Sequence, residues 1–305
     1  MAGLLDSHRA LREAVGAVEL GREFVLAAGP DAEAFLQGQL SQDVAALAEG
    51  GSARSLLLSP EGRLVAWLRV SRLAADRFVL DVEAGAAEPM LARLHRFKLR
   101  TKCELTRLDG WRAVALRGPL APAAAADARA VVRADAGWPL VPGVDLLGPD
   151  AAAPAGVPSC SPAAYDWLRI ANGEPAWGRE LTEGLIPAEA GIVEASVSWT
   201  KGCYTGQELV ARIDSRGANT PRRLRGVLLP ELGLEAPDPP ADAELEPVGG
   251  GAPTRLSSLG RLPEHDCGVG LAYAHRSITP PADAVLRWAG GSTPARIVTL
   301  PVSAA

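Results

Sequence analysis

SWTKGCYTGQE, residues 198–208, places Lys201 and Cys203 on either side of Gly202, with a second glycine, Gly206, close behind. The pairing stands out because the 305-residue chain holds only 4 cysteines, and only Lys98, Lys102 and Lys201 among its 31 basic residues are lysines. Thr205-Gly206-Gln207-Glu208 fits the capping box, in which a Ser/Thr side chain and a Glu three residues on satisfy the free N–H groups of a helix start. Leu209, Val210 and Ile213 follow at helical spacing. The pattern predicts a helix capped by Thr205, with Cys203 two residues outside its positive end and an ammonium nearby. Both charges favour thiolate over thiol, and the glycines permit left-handed backbone and close approach of a ligand. A lysine kept in an arginine-rich chain points to a compact or titratable charge. Lys201 and Cys203 are therefore the candidate catalytic pair. The plainer alternative is a small buried cysteine beside a surface lysine.

Upstream, REFVLAA (22–28) reads as a strand, and Gly29-Pro30-Asp31 opens a helix, AEAFLQGQL, with Asp31 as its cap. ARSLLLS and RLVAWLRVSRL flank the turn PEGR as a hairpin, with Gly62 in the turn. DRFVLDVE is a third strand, EPMLARLHRFKL a helix, KCELTRL and WRAVALRGP strands, and SPAAYDWLRIA a helix capped by Ser161. This order indicates α+β layers, not a doubly wound parallel sheet. Residues 148–160 are turn-rich. The Pro-, Gly- and acid-dense stretch 231–254 reads as a linker or long loop. TRLSSLG, GVGLAYA, AVLRW and ARIVTL then form an all-β C-terminal unit.

The length allows two or three domains. A net charge of −5 argues against a duplex-binding surface, and no direct nucleic-acid partner is expected. The scattered cysteines, Cys103, Cys160, Cys203 and Cys267, have no metal-ligand spacing, and their scarcity suits a reducing, cytoplasmic compartment. His8, His95 and His275 show no metal spacing either, so no metal site is expected. His265-Asp266-Cys267 are sequence neighbours that read as a loop. The amphipathic start MAGLLDSHRALREAVG lacks an apolar signal core, and no stretch is apolar enough to span a membrane.

KGCYTGQE resembles the signature of the YgfZ/GcvT-like folate-binding family, relatives of the glycine-cleavage T-protein. GPDAEAFLQGQLSQDV (29–44), LSPEGRL (58–64), WRAVALRGP (111–119) and NGEPAWGRELTEGLIPAEAG (172–191) resemble further family segments in the same order. The resemblance covers most of residues 22–218 and is weaker beyond. It implies a three-part ring of two α+β domains and a C-terminal β-barrel around a central folate cavity. Residues 1–50 with 110–221 would form the discontinuous folate-binding domain, 51–109 the second, and 222–305 the barrel.

The implied cofactor is tetrahydrofolate or another reduced folate. A carboxylate accepts the pterin's adjacent N–H groups in a charge-assisted pair; Glu189 matches the T-protein position that does so. Tyr165, Trp167 and Trp199 are the candidate ring-stacking aromatics, Tyr204 a further cofactor contact and Arg169 a partner for the glutamate tail. Gly202, Thr205, Gly206, Gln207 and Glu208 complete the motif. The resemblance implies a factor that supports assembly or repair of iron–sulfur clusters in client enzymes, tRNA-modifying ones included, with those clients or cluster-assembly factors as partners. A lone Cys203 offers one cluster ligand, too few for a stable four-cysteine cluster. Two readings compete. One is a folate-dependent one-carbon transferase resembling the aminomethyltransferases, which would need a catalytic aspartate shortly after the third strand; LDVEAGAAEPML offers Glu88 near that place and no such aspartate. The other is a folate-binding module with an unknown partner.

Overall fold

The computed structural model describes residues 2–302 except 216 and 218. The chain opens with helix α1 (Ala2–Glu13) and strand β1 (Gly16–Leu20). It then enters a second sheet through β2 (Arg22–Ala28), helix α2 (Ala32–Gln39), the hairpin β3 (Ser52–Leu58) and β4 (Leu64–Ala74), β5 (Arg77–Glu83), helix α3 (Ala87–Phe97) and β6 (Glu104–Arg107). It returns through β7 (Arg112–Arg117), α4 (Ala121–Ala126), β8 (Val132–Asp135) and β9 (Gly143–Gly148). Helices α5 (Pro162–Asn172), α6 (Pro187–Ala190) and α7 (Gln207–Asp214) lead into β10 (Arg222–Leu229), β11 (Glu244–Pro247), β12 (Thr254–Leu262), β13 (Cys267–His275), β14 (Ala282–Trp288) and β15 (Gly291–Val298).

Three sheets result: β1-β7-β9-β8, β3-β4-β5-β2-β6, and a closed six-stranded barrel β10-β13-β12-β11-β14-β15. The α+β class and the C-terminal barrel are as expected. Closure leaves the barrel without free edges. In α3 the buried Ala87, Met90, Leu91 and Leu94 recur at i, i+3, i+4 and i+7, the stripe of a helix packed on one face. That stripe meets Phe35 and Leu36 of α2 and the buried Leu68, Val70 and Leu80 of the second sheet in one core. Ser161 caps α5, its hydroxyl accepting from the Ala163 N–H.

Sheet membership follows hydrogen bonding, not chain proximity. β2 pairs with β5 and β6, so a border at residue 50 would separate strands of one ladder; the chain changes sheets between Leu20 and Arg22. The stretch 231–254 is no free linker, because its Glu244–Pro247 becomes barrel strand β11, paired with β12 and β14. Residues 149–161 carry no strand, yet they are pinned to β1: the Ala17 N–H donates to Pro158 O and the Cys160 N–H to Ala17 O.

Candidate functional site

Lys201, Tyr204, Thr205 and Gln207 anchor the cysteine loop, and its thiol stays exposed. The last carbonyls of α2 lack intrahelical donors, and the loop supplies them. Lys201 Nζ donates to the carbonyls of Gln37, Leu40 and Gln42 at 2.7, 2.6 and 3.0 Å. Thr205 gives its N–H and its hydroxyl to Gly38 O at 3.1 and 3.4 Å. Burial pushes the Lys201 ammonium down to about 8, with Asp43 working the other way. Tyr204 is buried among Leu56, Leu58, Leu64 and Val210, and burial pushes its phenol up to about 12. Gln207 Oε1 accepts from the Tyr204 N–H. Gly206 has φ +85°, and a Cβ there would stand 2.4 Å from Ser59 O and 2.8 Å from Leu58 Cβ. A Cβ on Gly62 (φ +78°) would stand 2.5 Å from Leu209 Cβ. The LSPEGRL turn and the cysteine loop thus lock together through paired glycines. Cys203 is exposed, whereas Cys103, Cys160 and Cys267 are buried and burial pushes their thiols up.

Two expectations are corrected here. Thr205 does not cap α7: the helix begins at Gln207, its cap is the left-handed Gly206, and no side chain caps it. Thr205 turns to Gly38 instead, and no side-chain bond ties Glu208 back to the loop among the described residues. The Lys201 ammonium is likewise spent on the end of α2, where the open carbonyls compete successfully for it.

A polar cleft of about 140 Å³ opens at the seam of the two sheets. It is lined by Arg22, Arg54, Trp67, Arg69, Glu83, Arg117, Asp145, Tyr165, Arg169 and Glu174, among others. Arg69 of β4 reaches Asp145 of β9 at 2.7 Å, and Asp145 holds Arg117 of β7 at 2.8 Å. Burial opposes the Asp145 charge, but Arg117 and Arg69 together hold its carboxyl well below the usual carboxylate range. Arg117 lies over the Trp138 ring and donates to Tyr165 Oη at 3.3 Å. Arg54 pairs with Glu174. Arg69 Nη1, Arg117 Nε and Arg22 Nε are buried donors with no partner among the described residues. Burial pushes the Glu83 carboxyl up; one of its oxygens accepts from the Trp177 N–H, and the other makes no bond among the described residues. Each lining arginine has a carboxylate partner, Arg22 in Asp81 and Arg169 in Asp166 and Glu180, so the leftover guanidinium N–H groups, with Trp67 and Tyr165 as flat walls, suit a planar ligand that carries hydrogen-bond acceptors.

The remaining candidates are scattered. Tyr165 and Arg169 line the cleft. Arg169 is tied to Asp166, Glu180 and Ser258 at 2.6, 3.2 and 2.7 Å. Glu189 does not line it; it is buried on α6 and accepts from Arg222 Nε at 2.9 Å. A polar relay joins the two positions, since Arg222 lies over the Tyr273 ring and Tyr273 Oη donates to Glu180 O. Trp167 is on the outer side of α5, against Gly260 of the barrel and near the His8 ring. Trp199, 52 % exposed, lines a surface groove with Val210 and Ile213. Glu88 is a surface residue paired with Arg107. The cleft residues that the motifs did not reveal, Arg54, Arg69, Glu83, Arg117 and Asp145, had one signal: charges inside otherwise apolar strand runs such as VAWLRV and GVDLLG.

The thiol loop and the cleft share supports. Trp67 lines the cleft and donates from Nε1 to Ser196 Oγ at 2.9 Å. Ser41 Oγ donates to Ser196 O at 2.6 Å and lies 3.3 Å from Ser55 Oγ. Ser41 immediately follows Leu40, whose carbonyl holds Lys201.

Residues 1–137 match the family model described as the GCVT N-terminal domain. An uncharacterized protein of Haemophilus influenzae is 28 % identical over 199 residues, covering 63 % of this chain and 65 % of that one. An aminomethyltransferase of Exiguobacterium sibiricum is 27 % identical over 279 residues, covering 81 % and 76 %. A protein of Neurospora crassa named iron–sulfur cluster assembly factor IBA57 homolog, mitochondrial, is 28 % identical over 276 residues, covering 81 % of this chain and 59 % of that longer one. The chain thus spans less than two thirds of the Haemophilus and Neurospora relatives. The crystal structure of glycine cleavage system aminomethyltransferase T from Bartonella henselae superposes with a TM-score of 0.78 at 22 % identity, covering 98 % of this chain and 89 % of that one. Residues 1–137 therefore resemble a GCVT N-terminal domain, and the chain shares, along nearly its whole length, the fold of that aminomethyltransferase.

Proposed function

We propose that the protein is a tetrahydrofolate-binding factor that supports assembly or repair of iron–sulfur clusters in client enzymes, acting through Cys203. One observation carries the reading: in a loop whose lysine, tyrosine, threonine, glycine and glutamine are each engaged, the cysteine is the reactive group left exposed. The named role of the Neurospora relative agrees with it.

The cleft fits one part of a reduced folate. Trp67 and Tyr165 would flank a ring, the open oxygen of Glu83 would accept pterin N–H groups, and the buried unpartnered donors of Arg22, Arg69 and Arg117 would meet carboxylates. When bound, a reduced folate supplies a one-carbon carrier. The chain's own residues hold the ligand, exclude water from the seam and keep the thiol outside it on a fixed loop. A cluster is cargo here: Cys203 supplies a single sulfur, and a partner must supply the others.

Calorimetric titration with tetrahydrofolate tests the cofactor half. Glu83→Ala should weaken binding by about 1.5–3 kcal/mol, the worth of a hydrogen bond to a charged group; unchanged affinity removes Glu83 from the site. Deletion-strain rescue tests the thiol half. Wild type should restore iron–sulfur enzyme activities, and Cys203→Ser should not. The second reading, an aminomethyltransferase, is favoured by the named activity of the Exiguobacterium relative. It predicts ammonia release from an aminomethyl-loaded carrier protein with tetrahydrofolate, and robust turnover would establish it.

A further inference from the structure

Residues 93–102, RLHRFKLRTK, concentrate Arg93, Arg96, Lys98, Arg100 and Lys102 in a chain whose net charge is −5. No carboxylate occurs between Glu88 and Glu104. The segment is the C-terminal half of α3 and the turn after it, and the fold presents it outward. Arg96, Arg100 and Lys102 are exposed and have no ion pair among the described residues. Leu99 stands at the apex, 82 % exposed, beside Arg100 in left-handed backbone at φ +57°.

This ridge is held in place. Lys98 Nζ donates to Cys103 O at 2.7 Å. The buried Arg93 lies over the Phe97 ring and donates to Leu58 O at 3.1 Å and Gln39 Oε1 at 3.0 Å. Those two contacts tie it to the segments on which the cysteine loop rests. Leu58 and Ser59 abut Gly206, and Gly38 and Leu40, either side of Gln39, hold Thr205 and Lys201. One layer of α2 and the 59–63 turn therefore supports both the basic ridge and the Cys203 loop. Glu61 of that turn faces Arg93 and Arg96, and Asp31 accepts the Lys102 N–H. Asp31, Glu61 and Glu104 lie at the margins of the ridge, while Arg96, Arg100 and Lys102 surround Leu99 in the chain.

We infer that the ridge at the end of α3 docks an acidic protein partner, with Leu99 as its apolar contact, and brings that partner's reacting group to Cys203. Clustered, exposed cations around an exposed leucine match a carboxylate-rich surface with an apolar patch. The partner's delivery to the thiol rests on the function proposed above; the docking does not.

The test uses the full chain and two short peptides, one rich in glutamate around a leucine and one neutral with glutamine in its place. Each ends in a cysteine activated as a mixed disulfide with thionitrobenzoate. The Cys203 thiolate, having lost its proton to solvent, attacks the peptide sulfur. A new disulfide forms, the old one breaks, and thionitrobenzoate leaves with the electron pair and is read by its colour. The acidic peptide should exchange on the order of tenfold faster than the neutral one at low ionic strength. Salt should erase the difference. So should the triple variant Arg96→Glu, Arg100→Glu, Lys102→Glu, whereas Arg9→Glu, Arg77→Glu, Arg129→Glu, an equal charge change elsewhere, should keep it. Equal rates for the two peptides, or a preference that survives in the ridge variant, overturns the proposal. So does tighter ridge-dependent binding of single-stranded oligouridylate than of the acidic peptide. Fluorescence anisotropy of the labelled acidic peptide separates the two readings. Ridge-dependent binding without exchange supports the docking and refutes the thiol's role; brisk exchange at equal rates does the reverse.

Discussion

Lys201 shows how one side chain can be recognised by sequence and still be misplaced by it. Its rarity marked it, and local logic assigned it to the neighbouring thiol. The structure gives it to the carbonyls of Gln37, Leu40 and Gln42, at the end of α2 and just beyond it. Replacing it with methionine leaves those carbonyls short of donors and should cost about 1–2 kcal/mol at neutral pH, discounted for its partial exposure. Burial holds the folded-state value near 8 against the ordinary 10.5. Between those two values the unfolded chain binds more protons than the folded one, so the Lys201 contribution to stability rises with pH across that window. Urea unfolding from pH 7.5 to 10.5 should therefore show the wild-type advantage over Lys201→Met widening; an advantage that shrinks would contradict the burial argument. Cys203 has the simpler expectation. As the exposed thiol beside three buried ones, it should be alkylated first by iodoacetamide under native conditions, read by peptide mass mapping.

At the scale of elements, the hairpin turn and the cysteine loop behave as one unit. Each carries a glycine with positive φ whose missing side chain lets the other approach. Gly206→Ala would put a methyl into Ser59 O and strain the backbone, at a cost of roughly 1–3 kcal/mol. Gly62→Ala should cost a similar amount. Because both substitutions open the same contact, the double variant should lose clearly less than the sum; chemical denaturation of the four proteins measures this. Strict additivity would mean that the two segments are not coupled. Both motifs were visible in the sequence, but their mutual contact was not. Residues 62 and 206 lie far apart in the chain, and nothing local to either encodes the other.

At the scale of the molecule, the two sheets meet through an apolar cluster, Phe24 and Val79 against Ala113, Val132, Ala134 and Leu147, and through buried ions beside it. Asp145 joins Arg69 of one sheet to Arg117 of the other, and both arginines keep unpartnered buried donors. Breaking a buried pair by removing one partner is costly, so Asp145→Asn should destabilise by about 3 kcal/mol or more near neutrality. Asp145 titrates well below the usual carboxylate range in the folded state. Its contribution is therefore fully present above the unfolded-state value of about 3.9 and is lost as pH falls toward the folded one. Thermal melts of wild type and variant should converge below pH 4. Melts that stay equally far apart in acid would assign the loss to packing.

The sequence by itself determined the secondary elements with strong periodicity: β2, the β3–β4 hairpin, α3, α5 with its Ser161 cap, and the strands of the barrel apart from β11. It determined the motif as well, because glycines, a rare lysine and a rare cysteine are local facts. Short strands such as β1, β8 and β11 were illegible, since four or five residues of mixed character become strands only when a partner accepts their hydrogen bonds. Tertiary structure alone decided the roles inside the motif. An ammonium goes to whichever acceptors surround it, and those lay at the end of α2 and just beyond it. It alone decided the cleft, whose Arg54, Arg69, Glu83, Arg117 and Asp145 come from five different strands. A buried charge is tolerable only beside its partner, and which partner lies beside it is fixed by the packing of the sheets.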